Sequence, residues 1–393
     1  MKNILFDDVS RAHLLPFAHT RPVADIRCGI LTMRARWEKA LNSPTGTLTE
    51  AYLQQVFPLN AGDDNCFING NVFGDATITA AIQKLAPGQK LVKGIITIAA
   101  QPDAADLSLA GFHNQIPDLA PIEYAGEVHI LRNVWDIFSQ NDRAIRADFE
   151  LLTKGRKSAA IPEGVTVSGK ENIFIEEGAT IYPGCIINAT TGPVYIGRDT
   201  EVMEGTMIRG PLAACAHSVI KMGAKLYGAT TIGPGCKVGG EINNAVFFAN
   251  SNKSHDGYLG NAVIGEWCNL GADTNCSNLK NNYDEVKIWS EQENRLVSTG
   301  LIFCGLLMGD HSKCGINTMF NTGTVVGVSC NIFGGGFPDK FVPSFSWGGS
   351  DSMTVYTFDK AMETADRMMG RRNLTMSANE RSIYQHIFDL RNK

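Results

Sequence analysis

Apolar residues recur at an interval of six along the middle of the chain. One phase runs unbroken through eight positions from Ile196 to Val238, and shorter runs precede and follow it. The in-phase positions are Ile175, Ile181, Ile187, Ile196, Val202, Ile208, Ala214, Ile220, Leu226, Ile232, Val238, Ile264, Leu270, Cys276, Ile302, Met308, Cys314, Phe320, Val326 and Ile332. A period of six fits neither an α-helix nor an alternating strand. It is typical of a parallel β-helix, in which three short strands close one triangular coil and glycines occupy corners.

The segments on either side have other periods. Before the repeat, KNILFDD, NCFING and KGIITIAA are apolar runs of strand length, and ILTMRARWEKAL has helical spacing. NVWDIFSQNDRAIRADFELLT predicts another helix, with Asn133 as its N-cap. Two helices are predicted at the end of the chain, where Ser377 and Glu380 form a capping box and Ile383, Ile387 and Leu390 share an apolar face. We therefore predict an α/β domain over 1–155, a β-helix over 156–350 and C-terminal helices over 351–393.

Composition narrows the class of protein. The 393 residues suffice for two or three domains, and no run of 18 apolar residues predicts a membrane span. The start, MKNILFDDVSRAH, lacks the apolar core of a signal peptide, so a cytoplasmic location is expected. Ten cysteines without a CxxC pair are expected to be reduced apolar fillers. The net charge of −5 and the lack of a basic run argue against nucleic acid as a partner.

The repeat is interrupted twice, and both interruptions are rich in polar residues. Val238 and Tyr258 are 20 residues apart instead of 18, which predicts a loop inserted at NSNKSHDGY. A longer excursion covers 277–301 and contains SNLKNNYDE. Insertions in a solenoid leave it as loops on one face, often the binding face. We therefore expect a groove between the two loops.

The first interruption carries a family resemblance. SHDGYLGNAVIGEWCNLGADTNCSNLK resembles the acetyltransferase half of the bifunctional N-acetylglucosamine-1-phosphate uridylyltransferase/glucosamine-1-phosphate acetyltransferases, and most of all the archaeal sugar-1-phosphate nucleotidylyltransferase/acetyltransferases. The shared pattern is a histidine, a tyrosine three residues on, Leu-Gly, an Asn-x-Gly-Ala unit and a later asparagine. The resemblance implies a left-handed β-helix, a homotrimer with sites between neighbouring subunits, a sugar phosphate as substrate and acetyl-CoA as co-substrate.

The resemblance also implies roles for single residues. His255 would be the general base. The reference pKa of histidine is about 6.5, which suits a group that removes an amine proton. Arg209 would grip the sugar phosphate. The positions implied to contact the sugar or orient the base are Tyr258, Asn269 and Asn278, and those implied to bind the cofactor are Ala272 and Gly305. The Gly271-Ala272 turn could supply backbone N–H donors to the oxyanion.

Two positions depart from that family pattern. Asn243 replaces a lysine expected two residues after a glutamate, which removes one phosphate contact. Asp273 replaces a glycine, which adds a side chain and a negative charge near the expected coenzyme A path.

The N-terminal segment ILFDDVSRAHLLPFAHTRPVADIRCGIL resembles the opening of sugar nucleotidylyltransferases, with which Arg11, Pro16, Thr20 and Pro22 agree. FDDVS replaces the glycine-rich phosphate loop, Val23 replaces the motif lysine, and Asn71 stands where an aspartate would hold Mg²⁺. The candidates for binding nucleotide or phosphate, with or without Mg²⁺, are Arg11, Arg21, Asp25 and Arg27. We therefore interpret the domain as a reduced nucleotidylyltransferase, with a purely structural platform as the alternative.

The sequence thus predicts a transferase that joins acetyl transfer to an amino-sugar 1-phosphate with a nucleotidylyltransferase-like domain. One alternative is that only the nucleotidylyltransferase is active, on dTTP or UTP and a sugar 1-phosphate. Another is a non-catalytic binder of sugar phosphates. A third is a zinc site between subunits formed by His217, His255 and His311, although their spacings do not resemble a compact ligand set.

Overall fold

A computed structural model of the protein describes residues 1–391, and the contacts within it divide the chain into two compact units. The first unit comprises Met1–Ile26, Leu31–Asn133 and Ser377–His386. The second comprises Arg27–Ile30, Val134–Met376 and the chain from Ile387. The segment that follows Asn133 therefore groups with the second unit, whereas the sequence pattern placed the boundary at 155.

The first unit is built on one six-stranded sheet with the strand order β2-β1-β3-β5-β4-β6. Its strands are β1 Lys2–Phe6, β2 Thr45–Leu48, β3 Asn65–Asn69, β4 Gln89–Lys93, β5 Ile96–Gln101 and β6 Ala120–Glu123, and its helices are α1 Met33–Leu41, α2 Ala76–Ile82 and α3 Leu109–Gln115. β1 is parallel to both β2 and β3, while β5 is antiparallel to β3 and β4. The three predicted strands and the helix around Trp37 are confirmed. Trp37 is fully buried, and its indole Nε1 donates to the carbonyl of Val72 at 2.9 Å.

The helix predicted from Asn133 is in fact two helices, α4 Asp136–Ser139 and α5 Asn141–Thr153. The N-cap is Trp135, so the prediction for Asn133 is wrong. The break occurs beside Asn141, whose side chain is committed to tertiary contacts. Its Oδ1 accepts from the amide of Gly29 at 2.7 Å, and its Nδ2 donates to Ala229 at 2.6 Å. These bonds join α5 to the β-helix and explain why it groups with the second unit.

The second unit is a parallel β-helix with three sheets, which we call faces 1, 2 and 3. Face 1 contains β7 Thr166–Ser168, β10 Ile186–Asn188, β13 Met207–Arg209, β16 Lys225–Tyr227, β19 Glu241–Asn243, β22 Tyr258–Gly260, β25 Asn275–Cys276 and β30 Met319–Phe320. Face 2 contains β8 Ile173–Ile175, β11 Val194–Ile196, β14 Leu212–Ala214, β17 Thr230–Ile232, β20 Val246–Phe247, β23 Val263–Ile264, β28 Leu307–Met308, β31 Val325–Val326 and β33 Phe341–Val342. Face 3 contains β9 Thr180–Ile181, β12 Glu201–Val202, β15 Val219–Ile220, β18 Lys237–Val238, β21 Asn252–Lys253, β24 Asn269–Leu270, β29 Lys313–Cys314, β32 Asn331–Ile332, β34 Ser346–Gly348 and the antiparallel β35 Met353–Val355.

The core of the coil is formed by the six-residue repeat. All but one of the predicted in-phase residues are buried in a single apolar cluster. The exception is Ile302, which is 49% exposed, so that prediction is wrong. The reason is the excursion over 277–301, which leaves the coil as the antiparallel hairpin β26 Lys287–Ser290 and β27 Arg295–Ser298. The chain re-enters the core at Leu306. The second predicted loop is therefore confirmed.

The first interruption is not an inserted loop. Between Val219 and Lys237 the coil takes the usual 18 residues, but Lys237 pairs with Asn252 only 15 residues on. Glu241 and Tyr258 likewise pair after 17 residues. The coil is shortened at its corners, and β19, β20, β21 and β22 all keep their places in the three faces. The predicted insertion, and with it the groove between two loops, is wrong because a shift of phase does not distinguish added residues from missing ones.

Two helices follow the coil, α6 Phe358–Gly370 and α7 Ala378–Arg391. The capping box is confirmed, with Ser377 N donating to Glu380 Oε2 at 2.7 Å and Glu380 N donating to Ser377 Oγ at 3.2 Å. Ile383 and Ile387 are buried, but Leu390 is 44% exposed, so the apolar face is narrower than predicted. All ten cysteines are buried and none forms a disulfide, as expected for apolar fillers. Across residues 1–391, every helix is too short or too polar to traverse a bilayer.

Candidate active site

His255 lies in a short bend between β21 and β22, at the corner where face 3 passes into face 1. Its side chain is exposed. The bend depends on Gly257, which has a φ of +111° and whose Cβ, if present, would lie 2.2 Å from the carbonyl oxygen of Thr274. A side chain at this position would therefore displace the bend that presents His255.

A buried lysine lies directly beneath this bend. Lys253 points into the coil, fully buried, at a place where Val238 is its neighbour in the preceding coil. Its Nζ donates to the carbonyl oxygens of His255 at 2.9 Å and Asp256 at 3.1 Å. Burial lowers the pKa of this ammonium to about 8. Sequence reasoning missed Lys253, although its spacing of six residues from the buried Leu259 was a usable signal.

On the face 1 side of His255, Tyr258 and Asn278 are in contact. Asn278 Nδ2 donates to the Tyr258 hydroxyl at 3.0 Å and to Asn261 Oδ1 at 2.7 Å. Burial raises the pKa of the Tyr258 phenol. Gly260 leaves room for this pair, because a Cβ there would lie 2.3 Å from the Tyr258 hydroxyl oxygen. Two predicted sugar-site residues are thus brought together beside the candidate base.

Arg209 lies on the same face at the exposed end of β13. It is separated by one strand, β16, from β19, which ends with Asn243. At a strand spacing of about 4.8 Å, this separation places the two backbones roughly 10 Å apart. Arg209 and the Tyr258–Asn278 pair therefore border one surface, on which Asn243 offers an amide in place of a charged lysine.

Two cavities meet at His255. One, of about 640 Å³, extends over face 3 and is lined by His255 and Asn269 together with several cationic side chains. The other, of about 650 Å³, extends over the corner and is lined by His255, Ala272, Asp256 and Asp273. Gly305 lines neither of these two cavities; its amide donates to Asn261 at 2.8 Å. The structure therefore gathers Asn269 and Ala272 around His255, whereas Gly305 lies against Gly260 and Asn261, next to the Tyr258–Asn278 pair.

In the first unit, the predicted phosphate-binding residues are committed to internal contacts. Arg11 Nε lies 3.1 Å from Asp7 Oδ2, and Arg11 Nη2 donates to the Tyr52 hydroxyl at 2.9 Å. Asp7 is almost fully buried, which raises its pKa despite the neighbouring guanidinium. Asp25 accepts two hydrogen bonds from Arg34, at 2.8 and 2.7 Å.

The other two N-terminal candidates lie elsewhere. Arg21 is buried, and its Nη2 lies 3.4 Å from Thr20 Oγ1. Arg27 groups with the second unit, where its Nη1 lies 3.8 Å from Cys215 Sγ. Arg21 and Asp25 thus belong to the first unit and Arg27 to the second.

At the position where the resemblance implies a Mg²⁺ ligand, the chain offers the neutral amide of Asn71. Asn71 donates its amide to Ser10 Oγ at 3.1 Å and to the Leu131 carbonyl at 2.9 Å, and a neutral amide is a weak ligand for a hard cation. Within residues 1–391, no three His, Cys, Asp or Glu side chains gather as a metal-holding group. The same holds for the three histidines of the zinc alternative within one chain. Among them, His311 is buried against Trp267, and His217 lies 3.5 Å from Asp199.

Comparison with known proteins agrees with this two-part organisation. Residues 3–157 match the family described as sugar nucleotidyl transferase. The bifunctional protein GlmU of Synechococcus elongatus is 25% identical over 229 residues, which cover 53% of this chain and 46% of the relative. The bifunctional sugar-1-phosphate nucleotidylyltransferase/acetyltransferase of Sulfurisphaera tokodaii is 28% identical over 153 residues, which cover 38% of each chain.

The chain spans about half or less of the length of these relatives. Among solved structures, the polySia specific acetyltransferase NeuO matches at 13% identity and a TM-score of 0.28, over 49% of this chain and 86% of that one, which is too weak to support an argument. The chain is therefore similar over part of its length to the bifunctional nucleotidylyltransferase/acetyltransferases: residues 3–157 match the sugar nucleotidyl transferase model, and a hexapeptide-repeat β-helix follows.

Proposed function

We propose that the β-helix transfers the acetyl group of acetyl-CoA to the amine of an amino-sugar 1-phosphate, with His255 as general base. The observation that carries this proposal is the position of His255. It is exposed where two cavities meet, and Tyr258, which is hydrogen-bonded to Asn278, lies three residues along the chain. A sugar on face 1 and a thioester on the other side would both reach this imidazole.

In the proposed reaction the amine nitrogen attacks the thioester carbonyl, and His255 accepts the amine proton as the C–N bond forms. The tetrahedral intermediate then collapses, the C–S bond breaks, and the imidazolium returns its proton to the departing thiolate. Gly271 N–H cannot serve the oxyanion, because it donates to Cys314 at 3.1 Å. The amide of Ala272 is the remaining donor of that turn. Arg209 would hold the sugar phosphate on face 1.

The test is thiol release from acetyl-CoA with glucosamine 1-phosphate or galactosamine 1-phosphate as acceptor. We expect acceptor-dependent release in the wild type and a loss of about 10²–10⁴-fold in His255→Ala, the range for a general base. His217→Ala is the matched control, because His217 is another exposed histidine of the same β-helix. It should keep the wild-type rate.

The other outcomes discriminate between the alternatives. An equal loss in His217→Ala would contradict a single base and favour the zinc alternative. Tight binding of the sugar phosphate without release would indicate a non-catalytic binder. No release and no binding with either sugar would transfer the assignment to the first unit.

For the first unit, the second candidate function is nucleotidyl transfer from dTTP or UTP to a sugar 1-phosphate. Its support is the family match over 3–157 and the polar cluster after β1 and β3. Asn69 Nδ2 donates to Asp8 Oδ2 at 3.0 Å and Asn71 Nδ2 donates to Ser10, at the strand ends where α/β sheets bind nucleotides. Acceptor-dependent release of pyrophosphate is the measurement, and its absence with both nucleotides would leave this unit a structural platform.

We also propose that the active form is a homotrimer in which His255 lies near a subunit boundary. Met222 and Ile316 are 69% and 70% exposed, and both lie at the corner between faces 3 and 1 that carries His255. Large exposed apolar side chains grouped at one edge are typical of protein interfaces.

A further inference from the structure

One position in the core of the β-helix is occupied by a residue that can carry a charge. In face 3 the side chains that point into the coil form a column, and the neighbours of Lys253 in this column are apolar, namely Ile220, Val238, Leu270 and Cys314. Lys253 is itself fully buried. An ammonium group removed from water lowers stability unless it finds strong partners. For stability alone, an apolar residue would suit this position better.

The amine of Lys253 is bonded to the main chain of the bend that carries the candidate base. Its Nζ donates to the carbonyl oxygens of His255 at 2.9 Å and of Asp256 at 3.1 Å. The Asp256 carbonyl also accepts from the amide of Asp273 at 3.1 Å, which ties the bend to the next coil. Because Lys253 reaches these carbonyls from the core, water does not compete for its amine. A neutral amine keeps N–H groups for both carbonyls, so the contacts do not require the charged form.

The next corner on the same side of the coil is closed differently. There the amide of Thr274 donates to the carbonyl of Gly271 at 3.3 Å, which is an ordinary turn closed by its own backbone. The His255 bend requires Gly257 at a φ of +111° and receives hydrogen bonds from a side chain below it. The conformation of this bend therefore depends on Lys253.

We propose that Lys253 is a positioning residue for acetyl transfer. Its amine holds the main chain of the His255 bend from inside the coil, and so sets where the imidazole lies relative to the attacking amine. A displacement of about 1 Å in such a position can lower a rate about 10²-fold. Because Lys253 is buried, it acts through the bend and not on the substrates. The inference rests on the proposed function, since it names a further residue of the same reaction.

The first measurement is the steady-state rate of thiol release by the full chain carrying Lys253→Met, an unbranched apolar replacement. We expect kcat to fall about 10–10²-fold, because the base is misplaced, while KM for acetyl-CoA and for glucosamine 1-phosphate stays within about twofold. The matched control is Ile181→Val, which removes core packing from the same column four strands away. It should leave kcat and KM unchanged.

The second measurement does not depend on activity. Amide hydrogen exchange of the intact chain, followed by mass spectrometry on the peptide over 254–258, should be faster in Lys253→Met than in the wild type. The reason is that the bend opens more often once its two hydrogen bonds are lost. The amide of Asp273, which donates to Asp256, should also exchange faster. In Ile181→Val the exchange at 254–258 should equal that of the wild type.

A lower kcat together with faster exchange at the bend supports the proposal. Unchanged exchange at the bend, or a KM that rises while kcat stays constant, overturns it. Lys253→Gln keeps an N–H donor in the core, so it should lie between the wild type and Lys253→Met in both measurements. A glutamine variant slower than the methionine variant would contradict an action through hydrogen bonds. If the wild type releases no thiol, the proposed function fails, and the exchange measurement alone decides whether Lys253 positions His255.

Discussion

At the scale of single residues, the position of the candidate base depends on neighbouring glycines, which have no reactive side chain. His255 is presented by a bend that only a residue tolerant of φ near +111° can close, and Gly257 supplies it. The Tyr258–Asn278 pair depends in the same way on the small Gly260. The chemistry of the histidine is general, whereas its position is set by two glycines.

We expect Gly257→Ala to be destabilising and nearly inactive in thiol release. The new Cβ would lie 2.2 Å from the Thr274 oxygen, and the positive φ itself costs about 1–3 kcal/mol for a residue with a side chain. Gly223→Ala is the control, since Gly223 also has a positive φ, of +65°, but has open space around it. Chemical denaturation should show a larger loss of unfolding free energy for Gly257→Ala. Equal losses would show that the contact with Thr274 is unimportant.

At the scale of elements, one strand of the coil combines the apolar repeat with a charged interruption. β21 places Lys253 in a column of inward side chains, and the ammonium is satisfied by two carbonyl groups of the His255 bend. A buried lysine without such partners would be strongly destabilising. Lys253 thus takes the place of an apolar side chain in the core, and its two hydrogen bonds fix the backbone of the His255 bend.

This exchange predicts a pH dependence of stability. The pKa of Lys253 is 10.5 ordinarily and about 8 in the folded protein, so the folded chain loses this proton first as pH rises. Between about pH 8 and 10.5 the unfolded chain binds more protons, and this group's contribution to the unfolding free energy increases with pH by up to about 1.4 kcal/mol per unit. The unfolding free energy of the wild type minus that of Lys253→Met, both measured by urea denaturation, should therefore increase with pH over this window.

The exposed Lys225 provides the control for that measurement. The difference between wild type and Lys225→Met should stay constant over the same range of pH. A constant difference for Lys253→Met as well would contradict a lysine whose proton is lost early in the folded state.

At the scale of the whole molecule, the proposed assembly makes a direct prediction. Light scattering should give three times the chain mass of 42.6 kDa for the wild type. Met222→Glu with Ile316→Glu should shift the particle toward a single chain, because two charges would have to be buried in the interface. Ile95→Glu, at a 93% exposed position of the first unit, should leave the mass unchanged. A wild type with the mass of one chain would contradict the trimer.

The sequence alone determined the architecture of the coil, because its signal is local and repeated. The inward position of nearly every six-residue unit is apolar, and this preference recurs about twenty times along the chain. The capping box and the exit of the hairpin at 277–301 are also local, since each depends on residues that are close in sequence. The family resemblance around His255 is also a local signal, because the residues that carry it lie within 254–280.

Tertiary structure decided everything that depends on partners far apart in the chain. Only the fold showed that the phase shift before Tyr258 shortens the coil, because pairing between strands, and not spacing, distinguishes missing from added residues. Only the fold showed Asp25 bound to Arg34, so that it no longer offers a free carboxylate. The cationic cavity was invisible in the sequence, because Lys237 and Arg371 lie on separate elements that meet only when α6 packs on face 3. Electrostatic interaction depends on distance in space, and a linear pattern carries no record of that distance.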